Sequence, residues 1–337
     1  MPPLTPEASG SAPVSVGIRG LGFYVPEKVL TNADLEQLVE TSDEWIRART
    51  GIRQRRVVAE TQAASDLSVA AATAALADAR LTPEDLDLIL VATMTPDMPC
   101  PSTACLVQAK LGAPRAAAFD LSAACSGFVY GLACGQQFVA SGAYRHVLVI
   151  GAEVLSRVVD WRDRSTCVLF GDGAGAAILG VGARGRILGS YLGSDGTKAD
   201  LLKVPGGGSR IPASHASVDQ GLHYLQMNGT EVFKLATRTM AEAAERALAQ
   251  CHLTADQVAC VIPHQANLRI ITAVVERLGL PLEKVYLNVE RYGNMSAAST
   301  IVALCEAVQE GRIKPGDIVL LVAFGAGLTW GALVLRW

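Results

Sequence analysis

AATAALADARLTPEDLDLILV (71–91) returns half a chain later as AAERALAQCHLTADQVACVIP (243–263). Both copies run an Ala-rich helical stretch into Leu-Thr, an acidic step and a short apolar strand. A second pair follows in the same order, ASGAYRHVLVIGA (140–152) and QEGRIKPGDIVLLVAF (309–324). Units repeated in order predict a duplicated chain, divided into a loose tail over 1–13, one half over 14–185 and another over 186–337. The strands DLILVAT (87–93), HVLVIGAE (146–153), VACVIPH (258–264) and DIVLLVAFG (317–325) are apolar at consecutive positions rather than alternate ones. That pattern belongs to strands covered by helices on both faces, so the class is α/β with a mostly parallel sheet.

Half of the 337 residues are hydrophobic and 18% are charged, which suits a large buried core and not a disordered chain. A net charge of −3 lacks the basic footprint that nucleic acid demands. Eight cysteines, at 100, 105, 125, 134, 167, 251, 260 and 305, include no C-x-x-C pair. The five histidines are scattered without metal-ligand spacing. The cysteines are read as free thiols of a reducing cytoplasm, and no metal or other cofactor is implied. Residues 1–13 have neither the basic nor the apolar region of a signal peptide. Ile318 to Leu335 carries no charge and is long enough to suggest a membrane helix. Gly325, Gly327 and Gly331 interrupt it, however, and its ends are strand-like. The expectation is two buried strands joined by a glycine turn, with no membrane span.

Three residues stand out chemically. Cys125 lies in AFDLSAACSGFVYGL (118–132), where small residues precede a helical pattern. A thiol at a helix N-terminus meets free N–H groups and the positive dipole end, which favour the thiolate. His264, in VIPHQANLRI (261–270), ends an apolar strand, and strand C-termini are where α/β sheets meet their ligands. Asn294, in RYGNMSAAS (291–299), sits in a glycine-marked turn before a small-residue helix. Taken singly, each also fits a buried cysteine, a capping histidine or a turn asparagine.

Taken together, they lie in a series of motifs that resembles the β-ketoacyl-ACP synthase III family of thiolase-superfamily condensing enzymes. The series is TNADLE (31–36), TSDEWI (41–46), RTGI (49–52), AACSGF (123–128), FGDGAGAA (170–177), PHQANLRII (263–271), YGNMSAAS (292–299) and AFGAGLTWG (323–331). The resemblance spans about Gly20 to Trp337. It implies a thiolase-like fold, with two βαβαβαββ halves stacked as five αβαβα layers. It also implies that Cys125 takes an acyl group from acyl-CoA, with the backbone N–H groups of Cys125 and Ala326 as the oxyanion hole. His264 and Asn294 would then stabilise the enolate formed as malonyl-ACP loses carbon dioxide. Met295 stands where the family usually has threonine. The last glycine motif carries no second cysteine, which argues against a thiolase.

The same resemblance implies a wider site. Trp45 and Arg164 would sandwich the CoA adenine, which suits an aromatic face and a guanidinium plane. Arg49, Thr50, Phe170, Met227, Gly229, Phe233, Ala266, Asn267, Arg269, Ile270 and Phe324 would line the substrate tunnel. Lys234, Arg269 and Arg277 would form a basic rim for the acidic carrier protein. Cys100 matches the position from which a homodimer partner closes the primer pocket, and its small size suggests tolerance for longer or branched primers. GDGAGA (171–176) satisfies G-x-G-x-x-A, but AILG after it reads as a strand, so close backbone packing is the better account. The alternatives kept open are a polyketide starter or acyltransferase relative, a thiol hydrolase using Cys125 and His264, and a non-catalytic acyl-binding protein.

Overall fold

The computed structural model describes residues 14–337; the expected tail over 1–13 lies outside the described residues. Val16–Tyr24 (β1), Leu88–Ala92 (β2), Ala117–Leu121 (β3), Val147–Val154 (β4) and Asp172–Val181 (β5) form one sheet, ordered β1-β5-β4-β2-β3. Arg186–Ser194 (β6), Cys260–Pro263 (β7), Ile318–Gly325 (β8) and Thr329–Arg336 (β9) form a second, ordered β7-β8-β9-β6. Each sheet has one edge strand antiparallel to a strand that is itself antiparallel to the next, followed by a parallel pair. The counterpart of β3 in the second sheet is reduced to a single bridge, Val261 to Val285.

The mostly parallel sheet expected from the apolar strands is corrected to two mixed sheets. Strands β2–β3, β2–β4 and β7–β8 are parallel, whereas β1–β5, β4–β5, β8–β9 and β6–β9 are antiparallel. The physical reason is the connection. A parallel neighbour needs a crossover, and the short glycine turn between β8 and β9 leaves no room for one. Apolar residues at consecutive positions report burial on both faces, and they carry no information about strand direction. The hairpin β8–β9 is the charge-free segment over 318–335, and among the described residues no helix is long and apolar enough to cross a membrane.

Side-chain alternation sorts each strand between two cores. Leu88 and Leu90 of β2, with Val319 and Leu321 of β8, enter the core shared by both sheets. Ile89 and Val91 face an outer core with Ala64–Ala79 (α2) and Thr103–Leu111 (α3), after Asp43–Thr50 (α1). Leu320 and Val322 face the other outer core, covered by Gly229–Gln250 (α5) and Leu268–Arg277 (α6). Gly127–Ala140 (α4) and Ala297–Gln309 (α7) lie between the sheets, contributing Phe128, Leu132, Ile301 and Leu304 to the shared core. The five layers run α, β, α, β, α.

GDGAGA falls at the start of β5, not at a helix, as its following AILG suggests. A Cβ on Gly175 would stand 2.5 Å from the Ile301 side chain, so the glycine admits the central helix α7 against the sheet.

Candidate active site

Cys125, His264 and Asn294 line one cavity of about 740 Å³. Cys125 sits in a 3-10 turn, Ala124–Ser126, that runs directly into α4. Ala124 before it is left-handed at φ 45° without being glycine, a conformation costing about 1–3 kcal/mol that persists only where packing enforces it. The enforcing contacts come from the other half of the chain. The Ser126 and Thr329 hydroxyls lie 2.6 Å apart, and both reach the Ala123 carbonyl. A Cβ on Gly325 would stand 2.6 Å from the Cys125 amide nitrogen. The last glycine turn therefore lies flush against the backbone of the thiol residue, with Ala326 on the cavity wall.

The expected pull of the helix end toward the thiolate is opposed by burial. Burial pushes the Cys125 thiol up to about 12, with the Ser296 hydroxyl pulling in the opposite direction. Desolvation outweighs the amides of the helix end, so the resting group is the thiol and a proton has to leave it during reaction.

His264 follows β7, with its own amide bonded to the Val322 carbonyl of β8. Burial drives its imidazole down to about 3, so the ring is neutral at physiological pH. Nδ1 lies 2.6 Å from Ser299 Oγ, which also accepts the Gln265 amide at 3.2 Å. Oγ could accept a second donor, but among the described residues the Ser299 hydroxyl proton has no acceptor other than Nδ1, so it is directed there. This hydrogen-bond network assigns the ring proton to Nε2. Gln265 is wholly buried and fully bonded: it donates to the Pro263 and Tyr286 carbonyls and accepts from the Asn288 and Val289 amides. It anchors the turn that carries the histidine.

Asn294 is fixed through its backbone and its side chain. Its amide donates to Leu169 O at 2.8 Å and its carbonyl accepts from Gly171 at 3.0 Å, joining the YGNMSAAS and FGDGAGAA motifs. Gly293, at φ 64°, could carry no Cβ there, because it would meet the Leu169 carbonyl at 2.7 Å. Asn294 Oδ1 accepts the Ser296 amide at 2.8 Å, so the Nδ2 group is the end left to donate. Met295, the departure from the family pattern, is buried in a small cluster with Tyr292, Ala298 and Val302 and does not line the cavity.

Most of the other expected residues share this cavity. Trp45, Arg49 and Thr50 of α1 line it together with Phe170, Met227, Gly229, Phe233, Lys234, Ala266, Asn267, Arg269, Ile270, Phe324 and Ala326. Asn267 joins two walls, donating to the Arg49 carbonyl and capping α6 through the Arg269 amide. Arg164 lies outside the lining but holds its guanidinium 5.0 Å from the Trp45 ring centre, with Arg49 at 5.7 Å. Arg269 stacks over Phe233 at 5.7 Å, and Lys234 pairs with Glu231. Arg277 is exposed at the far end of α6, eight residues or about 12 Å along the helix from Arg269. Cys100 is exposed and does not line the cavity of its own chain.

Sequence reasoning missed Ser296, Ser299 and Glu153, and also the apolar end of the cavity at Leu155, Val168, Leu225, Val232 and Met240. Ser296 and Ser299 were inside a quoted motif. Glu153 had its own signal, as a charge ending the otherwise apolar HVLVIGAE. The apolar end had none, because its residues read as ordinary core.

Residues 119–196 match the family model described as 3-oxoacyl-[acyl-carrier-protein (ACP)] synthase III, and residues 248–337 match its C-terminal counterpart. The β-ketoacyl-[acyl-carrier-protein] synthase III of Caldanaerobacter subterraneus is 59% identical over 96% of this chain and 98% of its own length. The crystal structure of the synthase III of Aquifex aeolicus superposes with a TM-score of 0.88, at 49% identity, covering 96% of this chain and all of that one. A priming β-ketosynthase of a polyketide pathway superposes with a TM-score of 0.90 at 36% identity, over 98% of each chain. With this fold, this cavity and these likenesses, the chain belongs to the 3-oxoacyl-[acyl-carrier-protein] synthase III family.

Proposed function

We propose that the chain is the initiating condensing enzyme of fatty acid synthesis, joining an acyl-CoA primer to malonyl-ACP. The observation that carries this reading is the convergence of a thiol, a neutral imidazole and an oriented amide on one cavity. Cys125 attacks the acyl-CoA carbonyl, the amides of Cys125 and Ala326 hold the oxyanion, and CoA leaves. Malonyl-ACP then enters by the same route. His264 Nε2–H and Asn294 Nδ2–H donate to its thioester oxygen, so that loss of carbon dioxide leaves a stabilised enolate. The enolate attacks the acyl-cysteine, releases Cys125 and forms 3-oxoacyl-ACP. A neutral histidine suits this task, since it donates without first being protonated.

In this reading Trp45 and Arg164 bracket the adenine, and the basic rim of Lys234, Arg269 and Arg277 meets the acidic carrier protein. The working form is a homodimer in the cytoplasm, and the halves 14–185 and 186–337 are duplicated units. Cys100 would close a primer pocket across the dimer and leave room beyond acetyl. The likeness to a priming β-ketosynthase favours one second reading, a starter enzyme for polyketides. The higher identity to fatty-acid relatives argues for the first.

The test is a condensation assay with malonyl-ACP and acetyl-, isobutyryl- and hexanoyl-CoA. The expected result is 3-oxoacyl-ACP and carbon dioxide from all three primers. Acyl-CoA consumption without malonyl-ACP would move the chemistry to hydrolysis, and a strict acetyl preference would sink the roomy-pocket argument. Ser299→Ala should free the imidazole to take the other tautomer and lower malonyl-ACP decarboxylation about tenfold, within the usual range for a lost orienting partner. An unchanged decarboxylation rate would show that the hydroxyl does not set the ring proton.

A further inference from the structure

Arg55 is wholly buried, yet among the described residues no carboxylate bonds its guanidinium. It lies on the short strand Gln54–Val57, which pairs with Lys28–Thr31. Nη1 donates to the Leu30 carbonyl at 3.1 Å and to Asn32 Oδ1 at 2.9 Å, and Nη2 donates to the Val168 carbonyl at 2.8 Å. Nε finds no partner among the described residues. Taking a guanidinium out of water without an ion pair is costly. Such a group is a poor means of fixing a hairpin, and the bond to Val168 points to another use.

Val168 and Leu169 lie in a turn, outside helix and strand. Among the described residues Arg55 is the only donor to the Val168 carbonyl. The next carbonyl, that of Leu169, takes the Asn294 amide at 2.8 Å, and the Asn294 carbonyl takes the Gly171 amide at 3.0 Å. The Arg55 stem lies against the same join. A Cβ on Gly171 would stand 3.0 Å from the Arg55 Cβ, and one on Gly293 would stand 3.4 Å from it. Head and stem of one side chain thus brace the wall 168–171 where it meets the turn that carries Asn294.

We propose that Arg55 is a positioning residue for Asn294, setting where its amide stands as it donates to the malonyl thioester oxygen. Arg55 does not line the cavity and acts through Val168 and Leu169. The Ser296 amide decides which end of the Asn294 side chain faces inward. The wall 168–171 decides how far inward it reaches, and a turn holds its place only as well as its anchors do. A displacement of about 1 Å in such a support can lower a rate about a hundredfold, because a donor to a developing oxyanion acts only at close range.

The rest of the site is anchored independently of Arg55. Asn32 Nδ2 donates to Asp43 Oδ1 at 2.8 Å and to the Ile52 carbonyl at 2.9 Å. Helix α1, with Trp45, Arg49 and Thr50, therefore keeps these anchors when Arg55 is lost. Cys125 is braced by Gly325 and by the Ser126 and Thr329 hydroxyls, and His264 by Ser299 and the β8 backbone. Loss of Arg55 falls on the Asn294 donor and spares CoA binding and acyl transfer.

The proposal rests on the condensing-enzyme reading, and the test separates the two. Malonyl-ACP decarboxylation and Cys125 acylation by acyl-CoA are measured in the wild type, Arg55→Met and Arg55→Lys, and in each variant combined with Asn294→Ala. Each single variant should lose at least about tenfold in decarboxylation kcat, with KM for malonyl-ACP and the acylation rate within about threefold of wild type. Beside Asn294→Ala, either substitution should lower decarboxylation less than about twofold further, because the donor it positions is already gone. Arg55→Lys keeps the charge but replaces the planar fork with a single ammonium, and it carries the test should Arg55→Met not fold. A loss under tenfold, a change carried by KM, an acylation loss above threefold or a further loss above twofold beside Asn294→Ala would overturn the positioning role. Each of those results leaves the condensing reading standing. A wild type that neither releases carbon dioxide nor forms an acyl-enzyme would overturn the condensing reading itself.

Discussion

Cys125→Ala should abolish 3-oxoacyl-ACP formation, a loss of at least about four orders of magnitude, as expected when a covalent nucleophile is removed. No other thiol can substitute. Cys167, Cys260 and Cys305 are buried outside the cavity lining, Cys134 and Cys251 are half-buried outside it, and Cys100 and Cys105 are exposed away from it. The variant should nonetheless keep turning over malonyl-ACP to carbon dioxide, because the donors for the enolate sit on other elements. His264 is held by Ser299 and the β8 backbone, and Asn294 by Leu169, Gly171 and Ser296. None of these contacts passes through the Cys125 side chain. Carbon dioxide release without condensation in Cys125→Ala, and no acyl-enzyme by mass spectrometry, would separate the two roles. Residual condensation in that variant would mean that acyl transfer bypasses the cysteine.

The fold was legible where the chain repeats. The Ala-rich helix and apolar strand at 71–91 and 243–263 become α2 with β2 and α5 with β7, at equivalent places in the two sheets. Strand direction was not legible, because Leu88–Ala92 and Ile318–Gly325 show the same continuous apolar pattern with different sets of neighbours. The trio was legible because each residue sits at a punctuation point: a small-residue turn, a strand end and a glycine turn. The protonation states were not. The helix start at Cys125 suggested an activated thiol, whereas close packing around it expels water and raises it. Burial depends on which distant segments close over a residue. Here Gly325 and Thr329 close over Cys125 from two hundred residues away, and no local window contains that information.

His264→Ala and Asn294→Ala should each lower malonyl-ACP decarboxylation by about two to three orders of magnitude, the usual cost of one preorganised donor to a developing oxyanion. Both donors are aimed by neighbours, so neither must be reorganised as charge builds. Asn294 cannot turn its oxygen inward without breaking the Ser296 amide bond, and the Ser299 hydroxyl holds the proton of His264 on Nε2. Because the two act on one oxygen, the double variant should lose less than the product of the single losses. The pH dependence should also be telling. Burial holds the imidazole near 3, so protonation of His264 should leave no inflection in decarboxylation between pH 5 and 8. An ordinary histidine would introduce one near 6.5. A wild-type inflection near 6.5 that disappears in His264→Ala would mean that the histidine acts as a charged acid or a base. Its burial would then have to be relieved when malonyl-ACP binds.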